Sequence, residues 1–251
     1  MSGHSKWSQI KRQKGVADQR RGQAFTKMGN AITIAVKAGG GLADPAANFK
    51  LRLAIEKARQ ANMPKENIQR AIERAKGLEA GKIEEINYEG FGPGGVAILV
   101  EAATDNRQRT AQEIKSIFET AGGDLAGPGA TAYLFQSVGL ISVLKNGKTT
   151  DEIMDLVVEA GAQDLEEAGG EILVYTKPEE LHRVMEKLLA AQIKVEEAEL
   201  NFKPLSTVLI NSPQEAAKIL SLMEKLEENE SVQKVFANFD IPDEILKGLS
   251  S

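Results

Sequence analysis

The first 27 residues are rich in side chains that bind polyanions. The stretch GHSKWSQIKRQKGVADQRRGQAFTK, residues 3–27, contains seven Lys or Arg and a single Asp. Such a density of positive charge can neutralise several phosphates of a nucleic acid, the alternative being a solvated basic tail. We predict that nucleic acid is bound here, and the candidate contact residues are Lys6, Lys11, Arg12, Lys14, Arg20, Arg21 and Lys27.

The charge of the chain is divided unevenly along its length. Residues 1–82 hold 17 Lys or Arg against 6 Asp or Glu, whereas the whole chain has a formal net charge of -5. The first third is therefore strongly basic, with a net charge of +11, and the remainder is acidic. Such asymmetry indicates a module that meets polyanions, joined to domains that do not.

The composition argues against several classes of protein. Cysteine is absent, and the only imidazoles are His4 and His182, so we expect no metal and no cofactor. The longest apolar run, 96–100, is far shorter than a signal peptide core or a membrane span. We expect a cytoplasmic protein with no membrane contact.

Two patterns could suggest catalysis, and neither has the right context. Residues 90–95 match G-x-G-x-x-G, but a strand-like run follows where a dinucleotide site needs a helix, so a turn between two strands is favoured. The acidic pairs Glu166-Glu167 and Glu196-Glu197 lie in strand-like runs, where adjacent side chains point to opposite faces. We predict no catalytic residue and no small-molecule substrate. The alternative is an enzyme acting on an anionic small molecule between the two α/β domains.

The elements that position the basic side chains have helical periodicity. Apolar residues recur with a 3.6-residue spacing over 23–38, over 48–62 and between Pro64 and Gly77, which predicts three helices. Basic residues occupy their remaining sides. The first 77 residues are thus predicted to form a small helical bundle with a basic exterior.

After residue 82 the sequence alternates between strand-like runs and helices in four strand-helix-strand units. Four helix starts have capping-box spacing, at Thr110, Thr149, Thr176 and Ser212. Two such units make one split-βαβ, ferredoxin-like sheet, so the four units predict two sheets. The pairing of the units stays open: either the middle two form an inserted domain, or the units pair in sequence. The predicted strands are 94–102, 130–136, 139–144, 162–167, 171–176, 194–202, 206–211 and 232–239.

Several blocks of this sequence resemble one known family. GHSKW, FTKM followed by GGG, ANMPKENIQRAI, YEGFGPGGVA and TDNRQRTA are similar to blocks of the YebC/PmpR family of transcriptional regulatory proteins, which is related to a mitochondrial translational activator of cytochrome oxidase subunit one. The GHSKW block adds Trp7 to the candidate site, either as a surface for stacking a base or as a hydrophobic contact with the bundle.

The resemblance implies an α+β fold in which a helical bundle precedes two ferredoxin-like (split βαβ) α/β domains, one inserted in the other. The expected domains are 1–82, then 83–137 together with 204–251, and the inserted 138–203. It also implies a non-enzymatic regulator whose partner is nucleic acid. The first interpretation is a DNA-binding transcriptional regulator, and the alternative is a ribosome-associated translation factor that binds RNA.

Overall fold

The computed structural model describes residues 21–77, 82–146, 148–168 and 170–249. These residues form two compact units. One consists of residues 134–207, and the other consists of the described residues before 134 and after 207.

Three helices begin the chain, as the apolar spacing predicts. They are α1 (Arg21–Ala38), α2 (Phe49–Gln60) and α3 (Lys65–Lys76). Their apolar sides form one core, which confirms the predicted bundle. The core contains Ile32, Val36, Leu51, Ile55, Ala58, Met63, Ile68, Ala71, Ile72 and Ala75.

Asn48 ties the end of α1 to the start of α2. Its Nδ2 donates hydrogen bonds to the main-chain oxygens of Ala35 (2.9 Å) and Leu42 (2.8 Å). Its Oδ1 accepts from the main-chain nitrogen of Leu51 (3.1 Å), which caps α2. A Cβ on Gly39 would lie 2.3 Å from Asn48 Nδ2, so a larger residue here would displace the amide of Asn48.

A four-stranded sheet follows the bundle in the same compact unit. The elements of this part are β1 (Glu84–Phe91), β2 (Ala97–Thr104), α4 (Arg107–Thr120), β3 (Asp124–Ala126), β8 (Val208–Leu209), α7 (Pro213–Glu228), β9 (Val232–Ala237), β10 (Phe239–Asp240) and α8 (Asp243–Leu249). The sheet has the order β3-β1-β2-β9 and neighbouring strands are antiparallel, so α4 connects β2 to β3 across β1 in a split βαβ arrangement. A short parallel pair, β8 and β10, lies outside this sheet.

The glycine-rich stretch 90–95 covers the end of β1 and the turn that leads to β2. Gly92 N donates to Val96 O (2.8 Å), and a strand follows rather than a helix. A Cβ on Gly90 would lie 2.7 Å from both Asp124 O and Phe118 Cε1, because β3 and α4 pack closely against it. Close packing and a turn thus explain these glycines.

The second unit contains a complete ferredoxin-like sheet. Its strand order is β5-β6-β4-β7 with antiparallel neighbours, so each helix connects two strands that flank a third. Its elements are β4 (Phe135–Leu144), α5 (Thr150–Ala160), β5 (Asp164–Ala168), β6 (Glu171–Thr176), α6 (Leu181–Ala190) and β7 (Lys194–Pro204).

The topology confirms the α+β fold and the nested arrangement. Strand β9 joins β1 and β2 although residues 134–207 lie between them in sequence, so the second sheet belongs to an insertion. The domain boundaries at 82, 137 and 203 stay predictions.

The strand predicted over 130–136 is wrong. Ala132–Leu134 forms a 3-10 turn, and the strand that crosses over from β2 is β3, earlier in the chain. The main-chain N–H groups of 129, 131 and 132 bind the side chain of Glu89 instead of a neighbouring strand. These N–H groups therefore cannot form a β ladder.

Two of the four predicted helix caps are also wrong. Thr149 and Ser212 cap α5 and α7 as predicted. Helix α4 is capped by Asn106, with Thr110 buried inside the helix. Thr176 donates its hydroxyl to Lys177 O at the end of β6, and the following turn, Pro178–Glu180, has no side-chain cap.

Candidate nucleic-acid interface

The structure describes two of the predicted contact residues. Arg21 belongs to α1, and Lys27 lies about one and two-thirds turns further along the same helix. The predictions for Lys6, Trp7, Lys11, Arg12, Lys14 and Arg20 concern residues outside the described ranges.

The side chain of Lys27 is half-buried and contacts the α/β part of its unit. Its Nζ donates a hydrogen bond to the main-chain oxygen of Glu227 in α7. Lys37, near the end of α1, makes a similar contact, with its Nζ 2.6 Å from Ile83 O. These two lysines join α1 to neighbouring elements, and a phosphate contact by Lys27 stays a prediction.

Exposed cations cover both α2 and α3. Six of them are exposed and form no ion pair with any carboxylate in the described ranges: Lys50, Arg59, Lys65, Arg70, Arg74 and Lys76. A cation without an ion-pair partner keeps its charge available for a phosphate. The bundle therefore presents positive charge on two helices rather than on one recognition helix.

Arg70 and Arg74 lie one helical turn apart on the side of α3 that faces α1. Arg70 Nη2 donates to Asn67 Oδ1 (2.5 Å). Arg74 Nη2 lies 3.2 Å from Asn30 Oδ1 and 3.3 Å from Thr33 Oγ1, both on α1. Each guanidinium is thus oriented by neutral groups, which leaves its charge uncompensated.

A cleft of about 380 Å³ opens beside these arginines. Its polar lining residues include Asn67, Arg70 and Arg74, and its apolar lining residues include Phe25, Met63 and Ala71. Met63 and Ala71 belong to the bundle core and Phe25 packs against it, so the apolar wall is held by the fold.

The prediction from sequence did not include this cleft. The signal was present in the spacing of Asn67, Arg70 and Arg74 at i, i+3 and i+7, which places them along one side of α3. That row runs beside the apolar stripe, and the spacing by itself indicates only a general basic exterior. The contribution of Phe25 depends on how α1 packs on α3, which the spacing within one helix does not specify.

Glu89 organises a loop rather than a reactive site. The carboxylate, 6% exposed, accepts hydrogen bonds from the main-chain nitrogens of Gly129 (2.7 Å), Thr131 (2.6 Å) and Ala132 (2.7 Å). Burial of the group opposes ionisation, but these bonds to the charged form outweigh it and lower the pKa of Glu89. The ionised carboxylate therefore holds residues 129–132 in place.

The adjacent Glu166 and Glu167 point to different partners, as their position in a strand predicts. Glu166 Oε1 lies 3.0 Å from Lys203 Nζ and accepts from the Tyr175 hydroxyl through Oε2 (3.2 Å). Glu167 pairs with Lys145 (2.6 Å), and the hydrogen bond from this lysine lowers the pKa of Glu167. The two carboxylates thus form separate ion pairs rather than an acid–base pair.

The described residues contain no group of three or more His, Asp or Glu side chains arranged to hold a metal ion. Within the same ranges, no helix combines the length and apolar character of a membrane span.

Comparison with known proteins gives consistent matches over almost the whole chain. The family model described as "TACO1/YebC protein N-terminal domain" matches residues 5–78, and "TACO1/YebC second and third domain" matches residues 83–239. A probable transcriptional regulatory protein of Sulfurihydrogenibium sp. is 48% identical, with 99% of each chain covered. One of Acidithiobacillus ferrooxidans is also 48% identical, covering 100% of this chain and 99% of the relative.

A crystal structure supports the same relationship. The conserved hypothetical protein Aq1575 of Aquifex aeolicus superposes with a TM-score of 0.83 at 42% sequence identity. The match covers 90% of this chain and 92% of the Aquifex chain.

Proposed function

This chain belongs to the TACO1/YebC family, and we propose that it is a non-enzymatic regulator that binds DNA through its basic N-terminal region. The resemblance inferred from the sequence blocks is confirmed by both family models. Its curated relatives are named probable transcriptional regulatory proteins, which supports a regulatory role. We further propose that it acts in the cytoplasm and without a cofactor.

The observation that carries the proposal is the concentration of uncompensated positive charge. Residues 1–82 have an excess of 11 positive charges, and the exposed cations of α2 and α3 add to the basic segment before α1. Contacts between such side chains and phosphates supply most sequence-independent affinity for nucleic acid. They position a protein on its target without reading the sequence.

The paired acidic side chains support a role without catalysis. Glu166 contacts Lys203 and Tyr175, Glu167 contacts Lys145, and Glu89 binds main-chain N–H groups. Each of these carboxylates thus has a structural partner that explains its position.

An alternative is a translation factor that binds ribosomal RNA. The cations surround both α2 and α3, an arrangement that suits an irregular phosphate surface better than insertion of one helix into a major groove. The same cations could contact the phosphates of DNA or of RNA, so binding measurements are needed to identify the target.

The test compares three targets for the intact chain: labelled promoter duplexes, single-stranded RNA and purified ribosomes, each titrated between 50 and 200 mM salt. Tight binding to a duplex that depends on its sequence supports transcriptional regulation. Tight binding to ribosomes, with only weak and sequence-independent binding to duplexes, supports the alternative. Failure to bind any of the three at low salt would overturn both.

A further inference from the structure

The cleft between α1 and α3 is lined by both positively charged and apolar side chains, and a nucleotide has a group that can contact each kind. We propose that it binds a single unstacked nucleotide of a single-stranded nucleic acid, with the base against Phe25 and Met63 and the phosphate at Arg70 and Arg74. This inference rests on the proposed nucleic-acid-binding function and names the site at which an unpaired strand is held.

The charged side chains that line the cleft favour an anionic ligand. Among the described residues, two guanidinium groups line it and no carboxylate does. Neither Arg70 nor Arg74 forms an ion pair with a described carboxylate, so a ligand need not displace one of those acids. Guanidinium groups present several N–H donors in a plane, a geometry that matches the oxygens of a phosphate.

The arginines are oriented before a ligand arrives. Asn67 accepts from Arg70, whereas Asn30 and Thr33 accept from Arg74. All three partners are neutral, so they restrict the guanidinium groups without cancelling their charge. Side chains that are already ordered lose less entropy on binding.

The apolar residues that line the cleft suit a flat ring. Phe25 is half-buried, and Met63 and Ala71 extend the apolar surface beside it. Bases stack on aromatic side chains in single-strand-binding proteins, and this contact tolerates every base because each has a π-face. A phosphate alone would leave this apolar surface unused.

A base in an intact duplex is already stacked and cannot enter such a cleft without leaving its neighbours. Removing it from the helix costs a few kcal/mol, least where the base is unpaired. The cleft therefore predicts a preference for single-stranded segments, loops or distorted duplexes. This preference for unpaired bases adds to the sequence-independent binding that the positive charge of the bundle provides.

The experiment uses the full chain and labelled strands of about ten nucleotides, within the site sizes of single-strand-binding proteins. A thymidine strand and an abasic strand of the same length have the same phosphates but differ in bases. A uridine strand distinguishes RNA from DNA. The wild-type chain should bind both base-bearing strands more tightly than the abasic strand.

The variant Phe25→Leu removes the ring but keeps an apolar side chain against the core. It should weaken binding of the thymidine strand about tenfold and leave the abasic strand unchanged. Phe25→Tyr keeps the ring and should retain the preference for bases, which separates loss of stacking from loss of folding. Equal effects of Phe25→Leu on both strands would overturn the proposal.

The double variant R70Q plus R74Q tests the phosphate contact. It should weaken both strands and reduce the slope of log affinity against log salt by about 1.4, as expected for two contacts to a single strand. The control R59Q plus K50Q removes the same charge from α2, away from the cleft. It should lower affinity less and preserve the preference for bases. If the control weakens binding as much as R70Q plus R74Q, the cleft is not the site.

Different results would contradict the proposed function and the proposed nucleotide site in the cleft. If the wild-type chain binds duplex DNA or ribosomes but none of the strands, the cleft proposal is wrong and the proposed function stands. If it binds none of these targets at low salt, the proposed function is wrong. If it binds all of the strands without preferring bases to abasic sites, the proposed function stands and the cleft does not hold a base.

Discussion

The Nη2 atom of Arg74 lies 3.2 Å from the Oδ1 atom of Asn30, which fixes a cation of α3 to the neighbouring helix α1. The amide is neutral, so it orients the guanidinium without neutralising it. The packing of α1 on α3 therefore determines how the positive charge of Arg74 is oriented toward a ligand.

Replacing Asn30 by Ala should therefore affect binding more than stability. Loss of one hydrogen bond at a partly exposed site is expected to lower the free energy of unfolding by about 0.5–1 kcal/mol. Binding of single-stranded nucleic acid should weaken a few-fold, because Arg74 must then be ordered during association. Denaturant unfolding and a titration of the same protein sample measure the two effects. Unchanged affinity would show that Asn30 does not position Arg74 for binding.

Replacing Asn48 by Ala should destabilise the bundle strongly. The side chain is 6% exposed, caps α2 and satisfies two carbonyl groups, so we expect a loss of about 2–4 kcal/mol in unfolding free energy. Asn48→Ser keeps an oxygen that can cap α2 but loses both amide donors, and it should give an intermediate value. If Asn48→Ser is as stable as the wild type, the two donated bonds contribute little.

Replacing Glu89 by Gln should lower stability in a pH-dependent way. The folded pKa lies below the unfolded value near about 4.3, so the ionised carboxylate contributes stability fully above that pH. The contribution is lost as pH falls through the lower folded pKa. We expect Glu89→Gln to cost about 1–3 kcal/mol at neutral pH, with a smaller difference from wild type in acid.

The control for this comparison is Glu119→Gln, which changes the same charge at an exposed position of α4. It should alter the unfolding free energy by less than about 0.5 kcal/mol. A cost of Glu89→Gln that stays constant from neutral pH to pH 3 would contradict the role assigned to the ionised carboxylate.

Replacing Gly90 by Ala should destabilise the first sheet through overpacking. The added methyl would meet Asp124 O and the Phe118 ring at 2.7 Å, and we expect a cost of about 1–3 kcal/mol. Gly127→Ala is the matched control, because a Cβ there meets nothing within 4 Å. Equal thermal midpoints for the two variants would show that Asp124 and Phe118 move away from the added methyl group without loss of stability.

Local patterns were sufficient to predict the helices and most strands. The apolar spacing of α1, α2 and α3, the capping box at Thr149 and the cap at Ser212 are properties of a few neighbouring residues. The same reasoning was wrong at Thr110, because Asn106 is an equally suitable cap and burial of Thr110 depends on packing with other elements.

The features that the sequence did not predict depend on contacts between distant residues. Glu89 binds N–H groups about 40 residues later, which removes the strand expected over 130–136. The cleft similarly requires Phe25 of α1 beside Arg70 of α3. Spacing within a helix indicates which residues share a side, but not which side of another helix they face.

The central claim is that the basic N-terminal region binds nucleic acid, and its first test is a variant with Lys11, Arg12, Lys14, Arg20 and Arg21 replaced by Ala. The control variant replaces Lys115, Lys148, Lys177, Lys218 and Lys225, five exposed lysines outside that region. Both variants lose five positive charges, so they differ only in where the charge is removed.

The decisive measurement is the affinity of these two variants and the wild type for duplex DNA and for ribosomes between 50 and 200 mM salt, with thermal midpoints recorded in parallel. The N-terminal variant should bind much more weakly to the target that the wild type prefers, and on duplex DNA the salt slope should fall by up to about 4.5. The thermal midpoint of the control should hardly change, because its five lysines are exposed and exposed charges contribute little to folding. We expect the midpoint of the N-terminal variant to change as little. Undiminished binding by this variant, or an equal loss in the control, would contradict the claim.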